Sequence, residues 1–372
     1  MTAADQNVVA IAAGGTGGHL FPAQSLAQEL RRRGIKVVLY TDERVRDYGS
    51  AFPADEVHVV PSATLVLRRP LSLPGALMKL ARGTFKAWAA MGRARPRALT
   101  AFGGYPSLPP VFAALMRGVP LVLHEQNAVM GRANRLAALW ADAVASSFDK
   151  VKYLPQRARP HLHRTGNPVR DAVIAAAATP YPAMDVDGPF HLLVFGGSQG
   201  ARAFSRIIPK AIEALGPELI ARLSLVQQCR PEDIEAVRAI YDKAGVSAEL
   251  ASFFDDMPDR IAAAHLVVAR SGASTVAEIA CIGRPAIFVP FPHALDQDQK
   301  VNAGVLAEAG GGWVWEERAL RPDELARRLA ELMNSPSALA EAAEAARRAG
   351  APDAVGKLAD LVLRTAKSSS GS

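Results

Sequence analysis

Near its amino terminus the chain carries a short apolar run, residues 8–13, that ends in the glycine-rich loop 14–18, Gly-Gly-Thr-Gly-Gly. A helical pattern follows at 22–33, and the apolar run 35–40 predicts a second strand. A strand, a crossover helix and a second strand in this order form a βαβ unit. Such a unit implies a parallel sheet with helices packed on its faces.

The same pattern begins again at mid-chain. The apolar run 191–195 ends in the loop 196–200, Gly-Gly-Ser-Gln-Gly, and a helical stretch follows at 201–215. A segment rich in Ala, Pro and Asp, residues 172–188, precedes it and is typical of a hinge. The length of 372 residues allows two domains at roughly 100–200 residues each. We therefore expect an α/β fold with two Rossmann-like doubly wound domains that face each other across a cleft.

Both glycine-rich loops predict an anion site, because each places backbone N–H groups at a helix N-terminus. Neither loop matches GxxxxGK[ST] or GxGxxG, which argues against a nucleoside triphosphatase and a standard dinucleotide site. The alternative is a pair of tight turns that only let a helix pack on its sheet. His19 follows the first loop and suits a general base, since imidazole titrates near neutral pH. A structural, helix-capping role is the alternative for this histidine.

A third loop, RSGASTVAE at 270–278, follows the apolar run 266–269. Ser274 and Thr275 would occupy the first helical turn, with Glu278 one turn later on the same face. Hydroxyl and N–H groups suit phosphate, and a carboxylate can accept from both hydroxyls of a ribose. The loop therefore predicts a nucleoside diphosphate site, and a capping arrangement with Glu278 on a solvated face is the alternative.

The net charge of +7 arises in one region of the chain. Residues 57–124 contain no Asp or Glu but nine Lys or Arg, interleaved with Leu, Phe and Trp. This combination is typical of a helix on an anionic membrane surface, and a core helix with a solvated basic face is the alternative. The residues expected at the membrane are Leu77, Lys79, Leu80, Arg82, Phe85, Lys86 and Trp88.

Patterns that the sequence lacks bear on its partners and on its location. The cations alternate with aliphatic side chains, and no helix-turn-helix or zinc motif occurs, so we expect no nucleic-acid partner. The sequence shows no basic segment before the first apolar run and no window of about 18 apolar residues. We therefore expect a cytoplasmic protein.

Seven motifs spread over both halves carry a resemblance to one family. They are GGTGGH at 14–19, AFGGYPSLP at 101–109, HEQNAVMGRANR at 124–135, GNPVR at 166–170, GGSQGAR at 196–202, RSGASTVAE at 270–278 and PFPHALDQDQKVNA at 290–303. In this order they resemble the signature loops of the undecaprenyl-diphospho-muramoylpentapeptide β-N-acetylglucosaminyltransferases. The resemblance extends from about residue 8 to about residue 345.

This resemblance implies a GT-B fold in which the two domains bind different substrates. Residues 1–168 would form the acceptor and membrane-surface domain, and residues 169–350 the donor domain for a UDP-sugar. A final helix, 351–366, would return to the N-terminal domain, and a disordered tail is expected at 367–372. The implied reaction is inverting transfer of N-acetylglucosamine from UDP-N-acetylglucosamine to the 4-hydroxyl of the muramoyl sugar of lipid I, which gives lipid II for peptidoglycan. The resemblance implies no metal and no cofactor, and it implies a peripheral protein at the cytoplasmic face of the plasma (inner) membrane.

The resemblance also implies roles for single residues. His19 matches the general base, Glu278 would hold the ribose, and Phe254 would lie near the uracil. Either Asp298 or Gln299 would contact the sugar, and Gln299 is the expected one. The expected donor contacts are Thr16, Gly17, Gly18, Asn127, Arg170, Ser198, Phe254, Ala273, Ser274, Thr275, Val276, Ala277, Glu278 and Gln299.

Two other functions remain open from the sequence. A UDP-N-acetylglucosamine 2-epimerase would share the architecture and the donor, but gives no reason for the apolar, cationic segment. A non-enzymatic, nucleotide-sensing membrane-docking module would leave His19 and the sugar-facing loops unused.

Overall fold

The computed structural model describes residues 7–14, 17–43, 52–64, 73–197 and 202–368. The chain forms two compact units. The first unit comprises Met1–Arg170 together with Pro352–Ser372, and the second comprises Asp171–Ala351. The boundary thus lies two residues beyond the one expected from the sequence.

The first unit contains a seven-stranded parallel sheet. Its strands are β1 (Val8–Ala12), β2 (Lys36–Thr41), β3 (Glu56–Val59), β4 (Leu99–Ala101), β5 (Leu121–Glu125), β6 (Ala143–Ser146) and β7 (Leu162–Arg164). They pair in the order β3-β2-β1-β4-β5-β6-β7. The order reverses between β1 and β4, and the carboxyl ends of strands at such a point form the crevice where doubly wound proteins bind ligands.

The second unit contains a six-stranded parallel sheet with the same reversal. Its strands are β8 (Phe190–Phe195), β9 (Leu223–Gln228), β10 (Ser247–Ala251), β11 (Leu266–Ala269), β12 (Ala286–Phe288) and β13 (Gly312–Val314). They pair in the order β10-β9-β8-β11-β12-β13, so the reversal lies between β8 and β11. The predicted fold class, two Rossmann-like α/β domains, is confirmed.

Helices connect the strands in both units. In the first unit they are α1 (Gly17–Arg32), α2 (Leu73–Ala94), α3 (Leu108–Arg117) and α4 (Arg132–Ala137). In the second they are α5 (Asp171–Ala177), α6 (Arg202–Glu213), α7 (Pro217–Arg222), α8 (Ile234–Ala244), α9 (Met257–Ala263), α10 (Ala273–Ile282), α11 (Asp298–Glu308), α12 (Pro322–Met333) and α13 (Pro336–Ala349). The last helix, α14 (Ala354–Ser368), belongs to the first unit.

Helix α14 joins the first unit because it covers one face of that sheet with α1. Leu358 and Val362 of α14 are fully buried in the same core cluster as Leu30 of α1. Full burial of a Leu or Val side chain contributes about 1.5–3 kcal/mol. At the rim of this contact the Arg33 guanidinium lies 2.5 Å from the Asp360 carboxylate.

Two features of the fold differ from the expectations. Strands β7, β10 and β13 were not predicted, because their side chains are mostly exposed or half-buried and form no long apolar run. Helix α14 continues through Lys367 and Ser368, so the expectation of disorder from residue 367 was wrong for these two residues. Residues 369–372 lie outside the described part of the chain.

Candidate active site

The first glycine-rich loop lies where the strand order of the first unit reverses. It joins β1 to α1, and Gly17 and Gly18 form the first turn of the helix. A Cβ atom at Gly14 would lie 3.0 Å from Cβ of Pro106, so the loop needs glycine to pass this close to the proline. Because the first N–H groups of a helix lack intrahelical acceptors, this end of α1 can bind an anion or a sugar oxygen.

His19 follows directly in the first turn of α1 and is half-buried. Its Nδ1 lies 3.0 Å from Oε1 of Gln126, which comes just after β5. A Cβ atom at Gly104 would lie 3.4 Å from Cδ2 of His19, and Gly104 has a φ of 73°, which favours glycine. The imidazole is thus held at Nδ1, and Nε2 is the nitrogen that can act on a substrate.

Two titratable side chains at the end of β5 are buried next to this histidine. His124 is fully buried, with Nε2 at 3.1 Å from the carbonyl oxygen of Gly166, and burial lowers its pKa to about 4. Burial raises the pKa of Glu125. The carboxyl group of Glu125 accepts hydrogen bonds from the backbone N–H groups of Asn127 and Gly131 and from the Asn134 amide. Glu125 therefore fixes the loop that carries Asn127, one of the predicted donor contacts.

The segment that ends the first unit carries two further polar residues. The guanidinium of Arg170 lies 5.0 Å from the centroid of the Phe21 ring. Asn167 is buried, and within the described residues neither end of its amide has a hydrogen-bond partner. A buried amide without partners costs about 1–3 kcal/mol, so Asn167 is a position where a bound polar group would be stabilising.

In the second unit, the loop between β11 and α10 has the predicted arrangement. Gly272 precedes α10, Ser274 and Thr275 lie in its first turn, and Glu278 lies one turn later. Ser271 is fully buried, and within the described part of the chain the hydroxyls of Ser271 and Ser274 have no hydrogen-bond partner. Two buried hydroxyls beside the first N–H groups of a helix form a site suited to phosphate oxygens.

The other predicted residues of α10 differ in their accessibility. Ala273 and Val276 are buried, with exposed fractions of 9% and 4%, while Ala277 is half-buried. Glu278 is also buried, which contradicts the alternative that placed it on a solvated face. The side chain of Val276 belongs to the interior, so the backbone of this turn is what can contact a ligand.

Phe254, expected near the uracil, follows β10 and is buried. The guanidinium of Arg260 lies 4.2 Å from its ring centroid. Arg260 in turn pairs with Glu249 and Asp256 at 2.7 Å each. The arginine thus covers one face of the phenyl ring.

The loop after β12 leads into α11 and holds the two candidates for the sugar contact. Oε1 of Gln299 accepts the backbone N–H of Phe291 at 2.9 Å. Oδ1 of Asp298 accepts the backbone N–H of Gln299 at 2.7 Å, so Asp298 stabilises the first turn of α11. Oε1 of Gln299 can accept one further hydrogen bond and its amide NH₂ can donate, so both ends can meet sugar hydroxyls.

Two predicted donor contacts, Thr16 and Ser198, lie outside the described residues. The neighbouring backbone shows how the second glycine-rich loop starts. The N–H of Gly196 donates to Oε1 of Gln228 at 3.1 Å, and Gly197 has a φ of 82°. Within the described ranges, no group of three His, Cys, Asp or Glu side chains is placed to hold a metal ion.

Arg270, the first residue of the RSGASTVAE motif, has structural contacts that the sequence did not predict. It is buried, donates to the carbonyl oxygens of Val289 and Pro290, and pairs with the Glu317 carboxylate. These contacts fix the ends of β11 and β12 beside the α10 turn. Its partners lie far along the chain, so no local pattern indicates this role.

Helix α2 has one apolar stripe in the core and another on the surface. Leu80 is buried, so the prediction that it faces a membrane was wrong. Trp88 is half-buried and lies under the Arg117 guanidinium at 4.1 Å. The α2 surface consists of the exposed residues Leu77, Met78, Lys79, Arg82, Phe85 and Lys86.

This α2 surface is apolar and cationic together. Leu77, Met78 and Phe85 are exposed by 56%, 66% and 69%. The helix contains no acidic residue. The Lys86 ammonium donates to the carbonyl oxygen of Val59 at 2.7 Å, so this lysine also holds the helix in place. No helix among the described residues is long and apolar enough to cross a bilayer.

Both units match models of one protein family. Residues 9–146 match the glycosyltransferase family 28 N-terminal domain, and residues 191–358 match the glycosyltransferase family 28 C-terminal domain. In each unit, a loop at the point where the strand order reverses leads into a helix: the β1–α1 loop in the first unit and the β11–α10 loop in the second. Together with these loops, the matches define a two-domain α/β glycosyltransferase.

Comparison with individual proteins shows which glycosyltransferases the chain resembles in sequence and structure. A protein of Methylobacterium sp. (strain 4-46), described as UDP-N-acetylglucosamine--N-acetylmuramyl-(pentapeptide) pyrophosphoryl-undecaprenol N-acetylglucosamine transferase, is 54% identical over 362 residues, which is 97% of each chain. A protein of Rhizobium meliloti (strain 1021) with the same description is 50% identical over 98% of this chain and 97% of its own. The crystal structure of Acinetobacter baumannii MurG is 29% identical with a TM-score of 0.78, covering 96% of this chain and 99% of that one. The chain therefore belongs to glycosyltransferase family 28 and, within it, to the family of these transferases.

The fold alone is shared more widely. UDP-GlcNAc 2-epimerase from Neisseria meningitidis has a TM-score of 0.67 at 12% identity, over 96% of this chain and 100% of that one. At such identity the likeness supports the architecture and not the epimerase activity.

Proposed function

We propose that this protein transfers N-acetylglucosamine from UDP-N-acetylglucosamine to the muramoyl sugar of undecaprenyl-diphospho-muramoylpentapeptide, converting lipid I to lipid II. The observation that carries the proposal is the 54% identity, over 97% of both chains, to a relative described as that transferase. Two loops support the proposal. The β11–α10 loop suits a nucleoside diphosphate, and the β1–α1 loop is followed directly by His19.

For the donor, we propose the N-terminus of α10 in the second unit. The hydroxyls of Ser271 and Ser274 and the first N–H groups of the helix would donate to diphosphate oxygens. Glu278 would accept from the ribose hydroxyls, and Phe254 would lie near the uracil. The other proposed donor contacts are Thr16, Gly17, Gly18, Asn127, Arg170, Ser198, Ala273, Thr275, Val276, Ala277 and Gln299.

The proposed transfer reaction requires a group that takes a proton from the acceptor and groups that stabilise negative charge on the departing UDP. Nε2 of His19 takes the proton of the 4-hydroxyl as that oxygen attacks the anomeric carbon of N-acetylglucosamine. The bond from the anomeric carbon to the β-phosphate oxygen breaks, and UDP leaves with the electron pair. A single displacement of this kind inverts the configuration. Helix N-termini and Arg170 would stabilise the charge that grows on the phosphate.

An acceptor requirement tests the proposal. Purified protein given UDP-N-acetylglucosamine and a lipid I analogue should release one UDP for each sugar transferred, and omission of the analogue should abolish the release. If folded protein releases no more UDP with the analogue than without it, the transferase proposal is overturned. A manno-configured product formed without acceptor would identify an epimerase, and UDP binding with neither reaction would identify a nucleotide-sensing module.

We also propose that the α2 surface docks the protein on the anionic cytoplasmic face of the plasma membrane, where a polyprenyl acceptor is held. Three exposed apolar side chains can enter the headgroup region, and the flanking cations attract acidic lipids. The exposed Leu77, Met78 and Phe85 lie on one side of a helix that carries no carboxylate to repel such lipids.

Charge reversal on α2 tests this docking. In the variant Lys79→Glu/Arg82→Glu, binding to phosphatidylglycerol vesicles should weaken at least about 30-fold, because each cation near an anionic surface contributes about 1 kcal/mol. Lys86 is left unchanged because it bonds to Val59. Vesicle sedimentation measures the effect. The variant Lys210→Glu/Lys243→Glu, with exposed lysines of the second unit, changes the net charge equally and should bind as the wild type does. Equal losses in both variants would contradict docking through α2.

A further inference from the structure

A continuous chain of hydrogen bonds runs through the first unit and ends on His19. The carbonyl oxygen of Gly166 lies 3.1 Å from Nε2 of His124. Nδ1 of His124 lies 3.0 Å from Nε2 of Gln126, and Oε1 of Gln126 lies 3.0 Å from Nδ1 of His19. His124 and Gln126 are buried, so no bulk water competes for these bonds.

The inner end of the chain fixes where the proton of His124 lies. A carbonyl oxygen only accepts, so Nε2 of His124 must carry the hydrogen that faces Gly166. Burial lowers the pKa of His124 to about 4, so the ring is neutral near pH 7 and carries one hydrogen only. Nδ1 of His124 is therefore an acceptor.

The orientation of the Gln126 amide follows from separate contacts. Its Nε2 lies 3.0 Å from the carbonyl oxygen of Phe102 and 3.0 Å from that of His124. Only the NH₂ end of an amide can face carbonyl oxygens, and the same end also meets the acceptor nitrogen of His124. Oε1 must then face His19, and since this oxygen only accepts, Nδ1 of His19 carries the hydrogen.

We propose that Gln126 is a positioning residue that holds His19 in the Nδ1–H tautomer and so presents the Nε2 lone pair to the acceptor hydroxyl. This inference rests on the proposed function, in which His19 is the general base. Catalytic triads fix the same tautomer with a carboxylate. Here a neutral amide fixes it without placing a negative charge against the ring. The nearby carboxyl group of Glu125 is occupied by Asn127, Gly131 and Asn134.

Nitrogen NMR of the full chain labelled with ¹⁵N-histidine tests the tautomers directly. We expect His19 to carry its hydrogen on Nδ1 and His124 on Nε2, with the His19 signals assigned by their loss in His19→Ala. In Gln126→Met, which keeps the side-chain length without donor or acceptor, His19 should lose this preference. Hydrogen on Nε2 of His19 in the wild type, or an unchanged His19 pattern in Gln126→Met, would overturn the proposal. The wild-type spectrum decides alone if the variant does not fold.

Kinetics separate positioning from general support of the fold. Gln126→Met should lower kcat about 10- to 100-fold, with KM for UDP-N-acetylglucosamine within about threefold. In the His19→Ala background the same substitution should cost less than about threefold, because its effect acts through the imidazole. A full additional loss in that background would overturn the positioning role.

A buried glutamine of the second unit provides the control for Gln126→Met. Gln227 is an equally buried glutamine of the second unit, whose Oε1 accepts from the Tyr241 hydroxyl. Gln227→Met should leave the His19 signals and kcat unchanged, and a comparable change there would contradict a role specific to Gln126. If His19→Ala keeps full activity, the base assignment fails, while the wild-type spectrum still decides the tautomer.

Discussion

In the His19→Ala variant we expect kcat to fall about 10²- to 10⁴-fold, while KM for UDP-N-acetylglucosamine stays within about threefold. The imidazole is proposed to act on the attacking hydroxyl, and the donor is proposed to bind at α10 of the second unit. Removal of the ring therefore raises the barrier without weakening the ground-state complex. Steady-state UDP release with a lipid I analogue measures kcat, and calorimetry measures donor affinity.

Another histidine of the same unit provides the control. His161 is exposed at the end of a 3₁₀ turn, Gln156–His161, and its replacement by alanine should leave kcat at the wild-type value. Truncation of His19 leaves Oε1 of the buried Gln126 without this donor, so the variant should lose about 1–3 kcal/mol of stability and remain folded. Equal losses of kcat and donor affinity would assign His19 a binding role. An unchanged kcat would show that another group takes the proton.

The strands that carry the loops were predictable because they are buried on both faces. β1 and β11 read as unbroken apolar runs, and β5 begins with the apolar run 121–123 before His124 and Glu125. Every residue in these three strands is buried. Edge strands lack this signal, and β10 has no fully buried residue at all. The central strands can thus be read from the sequence, whereas the edge strands β7, β10 and β13 need the tertiary structure.

The orientation of α2 was harder to predict because the helix is apolar on two sides. Leu80 and Phe85 are five residues apart and both apolar, yet one is 6% exposed and the other 69%. The choice between them depends on which stripe fits the sheet and α3, which no local pattern encodes. Gln126 illustrates the same limit, since its partners Phe102 and His19 come from other elements of the unit.

Arg284 is a buried cation that no sequence motif indicates. It is fully buried and donates to the carbonyl oxygens of Thr179, Pro180, Ala262, Ile282 and Gly283. These oxygens lie at the carboxyl ends of α9 and α10 and in the segment after α5. Helix carboxyl ends carry partial negative charge, so they offset the guanidinium. Burial lowers the pKa of Arg284 to about 10, which leaves it charged at neutral pH.

Replacement of Arg284 by methionine should destabilise the second unit by about 3–5 kcal/mol, because buried carbonyl oxygens lose their donors. Arg347 also donates to Thr179 and Ile282 and can replace part of this loss, but Pro180, Ala262 and Gly283 depend on Arg284. Hydrogen exchange measured by mass spectrometry should show at least about 100-fold faster exchange of the protected amides of the second unit.

Two further variants distinguish the loss of hydrogen-bond donors to these carbonyl oxygens from the loss of positive charge. Arg284→Lys keeps the charge but not the planar fork, so it should recover only part of the stability. Arg348→Met removes an exposed arginine that lies 3.3 Å from Glu344 and should change stability by less than about 0.5 kcal/mol. Because the carbonyl oxygens all belong to the second unit, exchange in the first unit should stay at the wild-type rate. Equal acceleration in both units, or a loss below about 1 kcal/mol, would contradict the role of Arg284 in joining these helix ends.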